Sequence, residues 1–291
     1  MPQNNSSITD SEKWDLVIKP KSSFFDFNLK DLWQYRDLIS LFVRRDFVAT
    51  YKQTIMGPLW HFIQPIFTTL MFLLVFTRIA SIPTDGIEPV LFYMSGITLW
   101  NYFSSCLTSA SGTFLANAGI FGKVYFPRLI SPISGVVSNL VKFAIQFLLL
   151  IAAILFYAIT QNASFYFGLS WLLIFPLLII MAGIGLGVGI IISSLTTKYR
   201  DLSVLIGFGI QLLMYATPIA YPLSFLVNKN YKWIVAINPL TPIVEAFRFA
   251  IFHTGTFTFS SLVYSTAFML IALFIGLMIF SKVERGFMDT V

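Results

Sequence analysis

FAIQFLLLIAAILFYAITQNASFYFGLSWLLIFPLLIIMAGIGLGVGIIISSLTT, residues 143–197, contains no Asp, Glu, Lys or Arg. A helix needs about 20 apolar residues to cross the hydrocarbon layer of a bilayer, so this run is long enough for two spans. Gln161-Asn162, near its middle, marks the turn between them. Outward from this run, further charge-free stretches occupy 53–77, 89–122, 202–228 and 249–281. The pattern predicts an all-α integral membrane protein with six transmembrane helices, at about 59–80, 90–116, 132–160, 167–195, 202–221 and 260–281.

Composition agrees. Of the 291 residues 57% are hydrophobic and only 11% charged, against roughly 25% charged in an ordinary soluble domain. That balance excludes a soluble globular protein. With 31 Phe and so little charge, the net charge of +6 does not describe a disordered or nucleic-acid-binding chain either. The single cysteine, Cys106, excludes a disulfide framework and a cysteine-based zinc site. His61 and His253 show no metal-ligand spacing.

Orientation is read from Lys and Arg, which accumulate on the cytoplasmic side. Six spans put both termini on one side. That side receives Lys13, Lys19, Lys21, Lys30, Arg36, Arg44, Arg45 and Lys52, then Lys123 and Arg128, Lys198 and Arg200, and Lys282 and Arg285. The other receives only Arg78, Lys229, Lys232 and Arg248, while Lys142 falls inside a span. Both termini are therefore expected in the cytoplasm. Residues 1–28 are polar, with no short apolar run ending in small residues, and read as a cytoplasmic N-terminal extension rather than a signal peptide.

Residues 29–57 read as an amphipathic interface helix. Leu32, Tyr35, Ile39, Phe42, Phe47 and Tyr51 recur at helical spacing, interleaved with Lys30, Arg36, Arg44, Arg45 and Lys52. Such a helix lies in the headgroup layer. It serves either as a simple anchor or as a docking surface for a cytosolic partner. Gly57-Pro58 turns the chain into the first span.

The remainder, 58–291, is the transmembrane domain. Two of its cytoplasmic loops, 117–131 and 196–201, are too short to fold alone and are the right size to press against a separate protein. Residues 222–255 are too apolar for a solvated loop and too broken by Pro222, Pro239 and Pro242 for a span. They predict a re-entrant helical segment, which the bilayer tolerates only where protein or water covers the backbone. Glu245 and Arg248 are three apart and able to pair on one helix face, as a structural ion pair or as part of a gate. Aromatics such as Trp60, Phe67, Tyr215 and Tyr221 present flat faces that suit sugar rings, or else form an interfacial belt. Gly183, Gly185, Gly187 and Gly189 favour close helix packing over a pore lining.

Absences narrow the function. There is no G-x-x-x-x-G-K-[ST] phosphate loop, and Gly122-Lys123 lacks both the first Gly and the hydroxyl residue. No span carries an Asp or Glu for a proton relay, and no nucleophile–base set can be assembled. A membrane-embedded glycolipid-modifying enzyme therefore has no catalytic constellation here, and a channel lacks charged rings. If the chain drives uphill movement, the energy comes from a partner.

Several motifs in order carry a family likeness. Tyr51-Lys52-Gln53-Thr54-Ile55-Met56-Gly57-Pro58-Leu59-Trp60 is followed by Gln64-Pro65, then Lys123-Val124-Tyr125-Phe126-Pro127 with Ser131-Pro132. Tyr199-Arg200-Asp201, Thr217-Pro218-Ile219-Ala220-Tyr221 and Asn238-Pro239 come later, and Trp14 to Pro20 lies upstream. Together they resemble the ABC-2 type permeases, in particular the polysaccharide and O-antigen exporters, close to teichoic-acid and capsule exporters. Met56 stands where the family usually has leucine before the glycine.

The resemblance implies a bacterial inner-membrane half-transporter that forms a homodimer and binds two copies of a separate ABC ATPase. It implies no cofactor in this chain, with ATP and Mg held by the partner subunit. The loop 117–131, with Lys123, Tyr125, Phe126, Pro127 and Arg128, takes the coupling role. Spans one and five of opposing subunits form a channel, bringing in Trp60, Phe67, Tyr215 and Tyr221. The implied substrate is a polysaccharide on an undecaprenyl diphosphate lipid, whose diphosphate Arg44, Arg45 and Lys52 are placed to attract. A teichoic-acid or capsule exporter permease, or a small-molecule or drug exporter of the same fold, is the alternative.

Overall fold

The computed structural model describes residues 33–52, 55–121, 123–124, 126–161, 168–197, 199, 201–226 and 232–287. The N-terminal extension 1–28, Tyr125, Asn162, Lys198, Arg200 and Lys229 lie outside the described residues. Within them the elements are helical. They are α1 (Arg36–Tyr51), α2 (Trp60–Phe72), α3 (Pro89–Ser111), α4 (Thr113–Phe121), α5 (Ile130–Gln161), α6 (Ile174–Thr196), α7 (Leu202–Ala216), α8 (Lys232–Ile237), α9 (Thr241–Phe252) and α10 (Phe259–Phe287).

Among the described residues, four segments are long and apolar enough to cross a membrane: Trp60–Ile79, Ile130–Thr160, Leu169–Thr196 and Phe259–Val283. Their ends fall within a few residues of those expected for spans one, three, four and six. In the first, α2 runs on into a π-helical stretch, Leu73–Ile79, where Thr77 and Tyr93 share a hydrogen bond of 2.9 Å.

The second predicted span differs from its expected form. It was expected to reach residue 116, but α3 stops at Ser111 and the chain breaks at Gly112 before resuming as α4. No charge or proline marks that break. With 23 residues α3 is about 34 Å long, enough to cross. It is less apolar than the four segments above, and its residues 91–100 are buried without interruption. A helix enclosed by other helices can carry hydroxyls such as Ser95 and Ser111 that find acceptors, while the buried Thr98 hydroxyl has none among the described residues. Ser95 donates to the Phe92 carbonyl at 2.8 Å and Ser111 to the Thr108 carbonyl at 2.9 Å. The fifth predicted span, 202–221, is shorter than expected. Here α7 has 15 residues, and the chain turns extended at Thr217.

Helix α6 is the second hub, and its glycines set the spacing on two sides. A Cβ on Gly183 would lie 2.5 Å from the Met269 sulfur, and one on Gly187 would lie 2.7 Å from the Leu273 nitrogen, both on α10. On the neighbouring face, a Cβ on Gly185 would meet Cys106 and one on Gly189 would meet Ala110, both on α3. Positions i and i+4 thus pack against one helix and the interleaved pair against another. The four glycines are packing positions.

Two apolar clusters result. The larger joins α3, α5, α6 and α9 through residues such as Phe92, Phe103, Phe143, Leu177 and Phe247. The smaller lies at the α1 end and gathers Phe42, Phe114, Phe121, Phe126, Ile130, Ile190 and Phe280. Helix α1 begins at Arg36 rather than at residue 29, and Phe47 of the expected apolar stripe is exposed. Tyr35, Leu38, Ile39 and Phe42 face this cluster, while Arg44, Arg45 and Lys52 are exposed.

Candidate functional site

Two built regions stand out, at opposite ends of the bundle. The first is the segment between α7 and α10, expected as one re-entrant piece over 222–255. It consists of a short 3-10 turn at Leu223–Leu226, then α8 and α9. Two of the quoted motifs meet here. Asn238 donates to the Thr217 hydroxyl at 2.8 Å and to the Ala216 carbonyl at 3.2 Å, while its own Oδ1 accepts from the Leu240 amide at 3.0 Å. Asn238 therefore ties the end of α7 to the start of α9. Pro242 occupies the first turn of α9, where its missing N–H costs nothing. Helix α10 adds further ties: Tyr264 donates to the Ile237 carbonyl at 2.6 Å and Ser265 to the Pro239 carbonyl at 2.7 Å.

Glu245 and Arg248 form an ion pair at 3.3 Å, with residue exposures of 3% and 2%. A charge pair buried this deeply needs its remaining valences met, or desolvation outweighs the attraction. Arg248 Nη2 donates to the Ile219 carbonyl at 3.0 Å and the guanidinium carbon lies 3.7 Å from the Phe92 ring centroid, while Nε has no hydrogen-bond partner among the described residues. Glu245 Oε2 accepts from the Thr256 amide at 3.1 Å. Close approach of the backbone at Gly255 (φ +132°) makes this last bond possible: a Cβ there would lie 2.8 Å from the Glu245 carbonyl oxygen. The pair thus clamps α9 to the turn after α7, to α3 and to the strap leading into α10. The three-residue spacing of the pair was visible in the sequence. The backbone partners Ile219 and Thr256 had no sequence signal.

The second region is at the α1 end. Asn117 on α4 donates to the Ser131 hydroxyl on α5 at 2.8 Å, closing the loop that joins them. Phe126 is buried edge-on against Phe42 of α1, with ring centroids 5.7 Å apart, and 5.7 Å from Phe121. Arg128 is also buried, its guanidinium 5.6 Å from the Phe121 centroid. These two were expected on a surface that meets a partner. In the fold Phe126 ties the loop to α1 through Phe42, because an aromatic flanked by Phe42 and Phe121 gains more from burial than from solvent, while Arg128 lies against Phe121 of α4. Lys123 and Val124 remain exposed, and Pro127 is half-buried. On α1, Arg45 forks onto Asp46 at 2.8 and 2.9 Å and stacks over Phe42 at 4.4 Å, whereas Arg44 and Lys52 are simply exposed.

The expected path aromatics are not gathered into one lining within the chain. Trp60 and Phe67 are exposed on α2 and Tyr215 on α7. Tyr221 is half-buried and donates to the Tyr215 carbonyl at 2.8 Å. Both α2 and α7 pack on α3, and each turns an apolar face outward, with Ile66, Leu70 and Leu74 on one and Leu205, Phe208 and Leu212 on the other. Among the described residues no group of His, Cys, Asp and Glu could hold a metal ion.

What this arrangement defines is a helical membrane scaffold with a buried polar clamp at one end and an amphipathic helix locked to a short loop at the other. Residues 37–252 match the family model described as ABC-2 type transporter, and the chain belongs to that family. Its relatives are more particular. It is 30% identical to the O-antigen export system permease protein RfbA of Klebsiella pneumoniae, over 87% of this chain and 94% of that one. The protein of that description from Myxococcus xanthus is 27% identical, over 77% and 84%. The polysialic acid transport protein KpsM of Escherichia coli is 26% identical, over 81% and 89%.

Proposed function

We propose that this chain is the permease subunit of an ATP-driven exporter that carries undecaprenyl-diphosphate-linked polysaccharide of the O-antigen type across the bacterial inner membrane. The observation that carries this reading is the likeness to permeases named for O-antigen export, which extends over nearly all of both chains. The likeness to capsule-type permeases is weaker, at 26% and 21% identity. The chain is a transporter subunit and not an enzyme.

The working unit is a homodimer with two copies of an ABC ATPase. ATP and magnesium are held by that partner. The unpartnered apolar faces of α2 and α7 support a channel formed between two copies, with Trp60, Phe67 and Tyr215 near its wall. Six crossings with both termini in the cytoplasm follow if α3 spans within the bundle and α7 spans together with the turn to Tyr221. Lys123 and Val124 meet the ATPase. Its movement reaches α1 through the Phe126–Phe42 contact, so that nucleotide binding biases two conformations of the permease rather than any chemistry in it. The Glu245–Arg248 clamp holds the exit segment closed at rest.

Lipid-linked glycan enters beside α1, drawn by Arg44 and Lys52 with help from Arg45. Because Arg45 is already committed to Asp46, Arg44 carries more of the attraction. Replacing Arg44 and Arg45 together by Ala is expected to reduce glycan export about tenfold at unchanged protein level, measured as surface polysaccharide per cell. Normal export by that variant rules out the entry role of α1.

A further inference from the structure

Lys142 is a cation inside a helix otherwise built to cross a membrane, and the clamp and loop described above make no use of it. It stands 12 residues into α5, about 18 Å along its axis. It makes no hydrogen bond or ion pair among the described residues. Ionisable groups at such depth persist where they meet a partner or a ligand.

The surroundings of Lys142 point to a ligand. Between α1, α3 and α5 lies a cavity of about 610 Å³, lined by Asp46 of α1, Thr108 and Ser109 of α3, and Ser138, Asn139 and Lys142 of α5. Ser138, Asn139 and Lys142 share one stripe of α5 at helical spacing. Asn139 is only 3% exposed, and its Nδ2 finds no oxygen acceptor, with only the weakly accepting Cys106 thiol beside its side chain. A buried amide N–H left without an acceptor is costly unless a ligand supplies one. Hydroxyls, an amide and an ammonium together are a donor set, suited to an anion. The one carboxylate at the rim, Asp46, pairs with Arg45 at 2.8 Å and also lies within electrostatic reach of Lys142, so it offsets part of that charge without forming an ion pair with it.

We propose that this cavity is a binding site for the phosphate of a membrane-lipid headgroup, gripped by Lys142 with Asn139 and the α3 and α5 hydroxyls. The level of the cavity selects a lipid over a soluble anion. It opens beneath α1, which lies along the interface, and Val137, Leu140 and Val141 on the adjoining side of α5 are exposed where an acyl or prenyl chain would run. The phosphate oxygens replace the acceptors that Asn139 and Lys142 lack, and the flexible lysine stem lets its ammonium reach up to headgroup depth. The inference rests on α5 spanning the membrane as proposed above and not on which glycan is exported.

The test uses the purified full-length chain in neutral maltoside detergent. Lipid binding is titrated by native mass spectrometry with phosphatidylglycerol, undecaprenyl diphosphate, phosphatidylcholine and inorganic phosphate. Wild type is expected to bind the two anionic lipids at least about tenfold more tightly than phosphatidylcholine. Lys142→Met is expected to lose that preference while unfolding at the same temperature without lipid, and Lys142→Arg to keep it. Tighter binding of undecaprenyl diphosphate than of phosphatidylglycerol assigns the site to the exported lipid, and equal binding assigns it to bulk anionic lipid. Either supports the proposal. Equal binding by wild type and Lys142→Met overturns it, and so does saturation by inorganic phosphate with no gain from a lipid chain. Should Lys142→Met fail to fold, the pair Ser109→Val with Ser138→Val tests the hydroxyl half of the same site. Because the readout is binding, a failed exporter assignment and a failed site remain distinguishable.

Discussion

Arg248→Met is expected to destabilise the folded chain by about 3–5 kcal/mol, because it strands the Glu245 carboxylate in the core without its cation. The variant also orphans the Ile219 carbonyl and removes a cation from the face of Phe92. Glu245→Gln is expected to cost less. An amide side chain still offers an oxygen to the Thr256 amide and leaves a charge only on Arg248, whose Nη2 keeps the Ile219 acceptor. The double variant Glu245→Gln/Arg248→Met is then expected to be more stable than the sum of the two single losses, since no uncompensated charge remains. Thermal unfolding of all four proteins in one detergent closes the cycle. Arg248→Met within about 1 kcal/mol of wild type would show that the pair is solvated and not a clamp.

Gly187→Val is expected to produce the second large loss. Overpacking commonly costs about 1–3 kcal/mol, and more when nothing can yield. Here the obstacles are backbone atoms of α10, the Leu273 nitrogen at 2.7 Å and the Ala272 carbonyl carbon at 2.8 Å. A Cβ on Gly276 of α10 would in turn lie 2.8 Å from the Gly187 carbonyl oxygen, so the two helices approach through glycine on both sides. Relief requires α10 to move away from α6, and a loss of about 3 kcal/mol or more follows. Gly207→Ala on α7 is the control. A Cβ there meets nothing within 4 Å, so that variant is expected to be neutral or more stable by up to about 1 kcal/mol. If Gly187→Val unfolds at the wild-type temperature, the α6–α10 packing is wrong. If Gly207→Ala is stable but exports poorly, α7 faces the transport path or the second copy.

How far the sequence could be read depended on which force shaped each element. Long apolar runs are visible in the sequence whether the helix is largely uncovered, as at 60–79, 130–160 and 259–283, or mostly enclosed, as at 169–196, so these four spans were legible to within a few residues. Helix α3 was harder, because a buried helix mixes hydroxyls with apolar groups, and its break at Gly112 depends on what α4 packs against. The Glu245–Arg248 spacing was readable, but its two backbone partners come from residues 29 and 11 positions away along the chain. Thr217 and Asn238 were visible as separate motifs. Their hydrogen bond to each other appears only when α7 and α9 are folded together. Phe126 and Arg128 show the converse. In a short loop of a membrane protein they look like partner-facing residues, and only the position of α1 reveals that Phe42 and Phe121 claim them. Lys142 stood out as a charge within a span, and its cavity needed three helices to become visible.

If the permease works with a separate ABC ATPase, the two should leave the membrane together. Tagged full-length protein is isolated from gently solubilised native membranes, and what remains bound is identified by mass spectrometry. A stoichiometric ATPase subunit carrying a phosphate loop is expected, retained in mild detergent and in lipid discs. A clean permease with no ATPase under both conditions excludes the half-transporter.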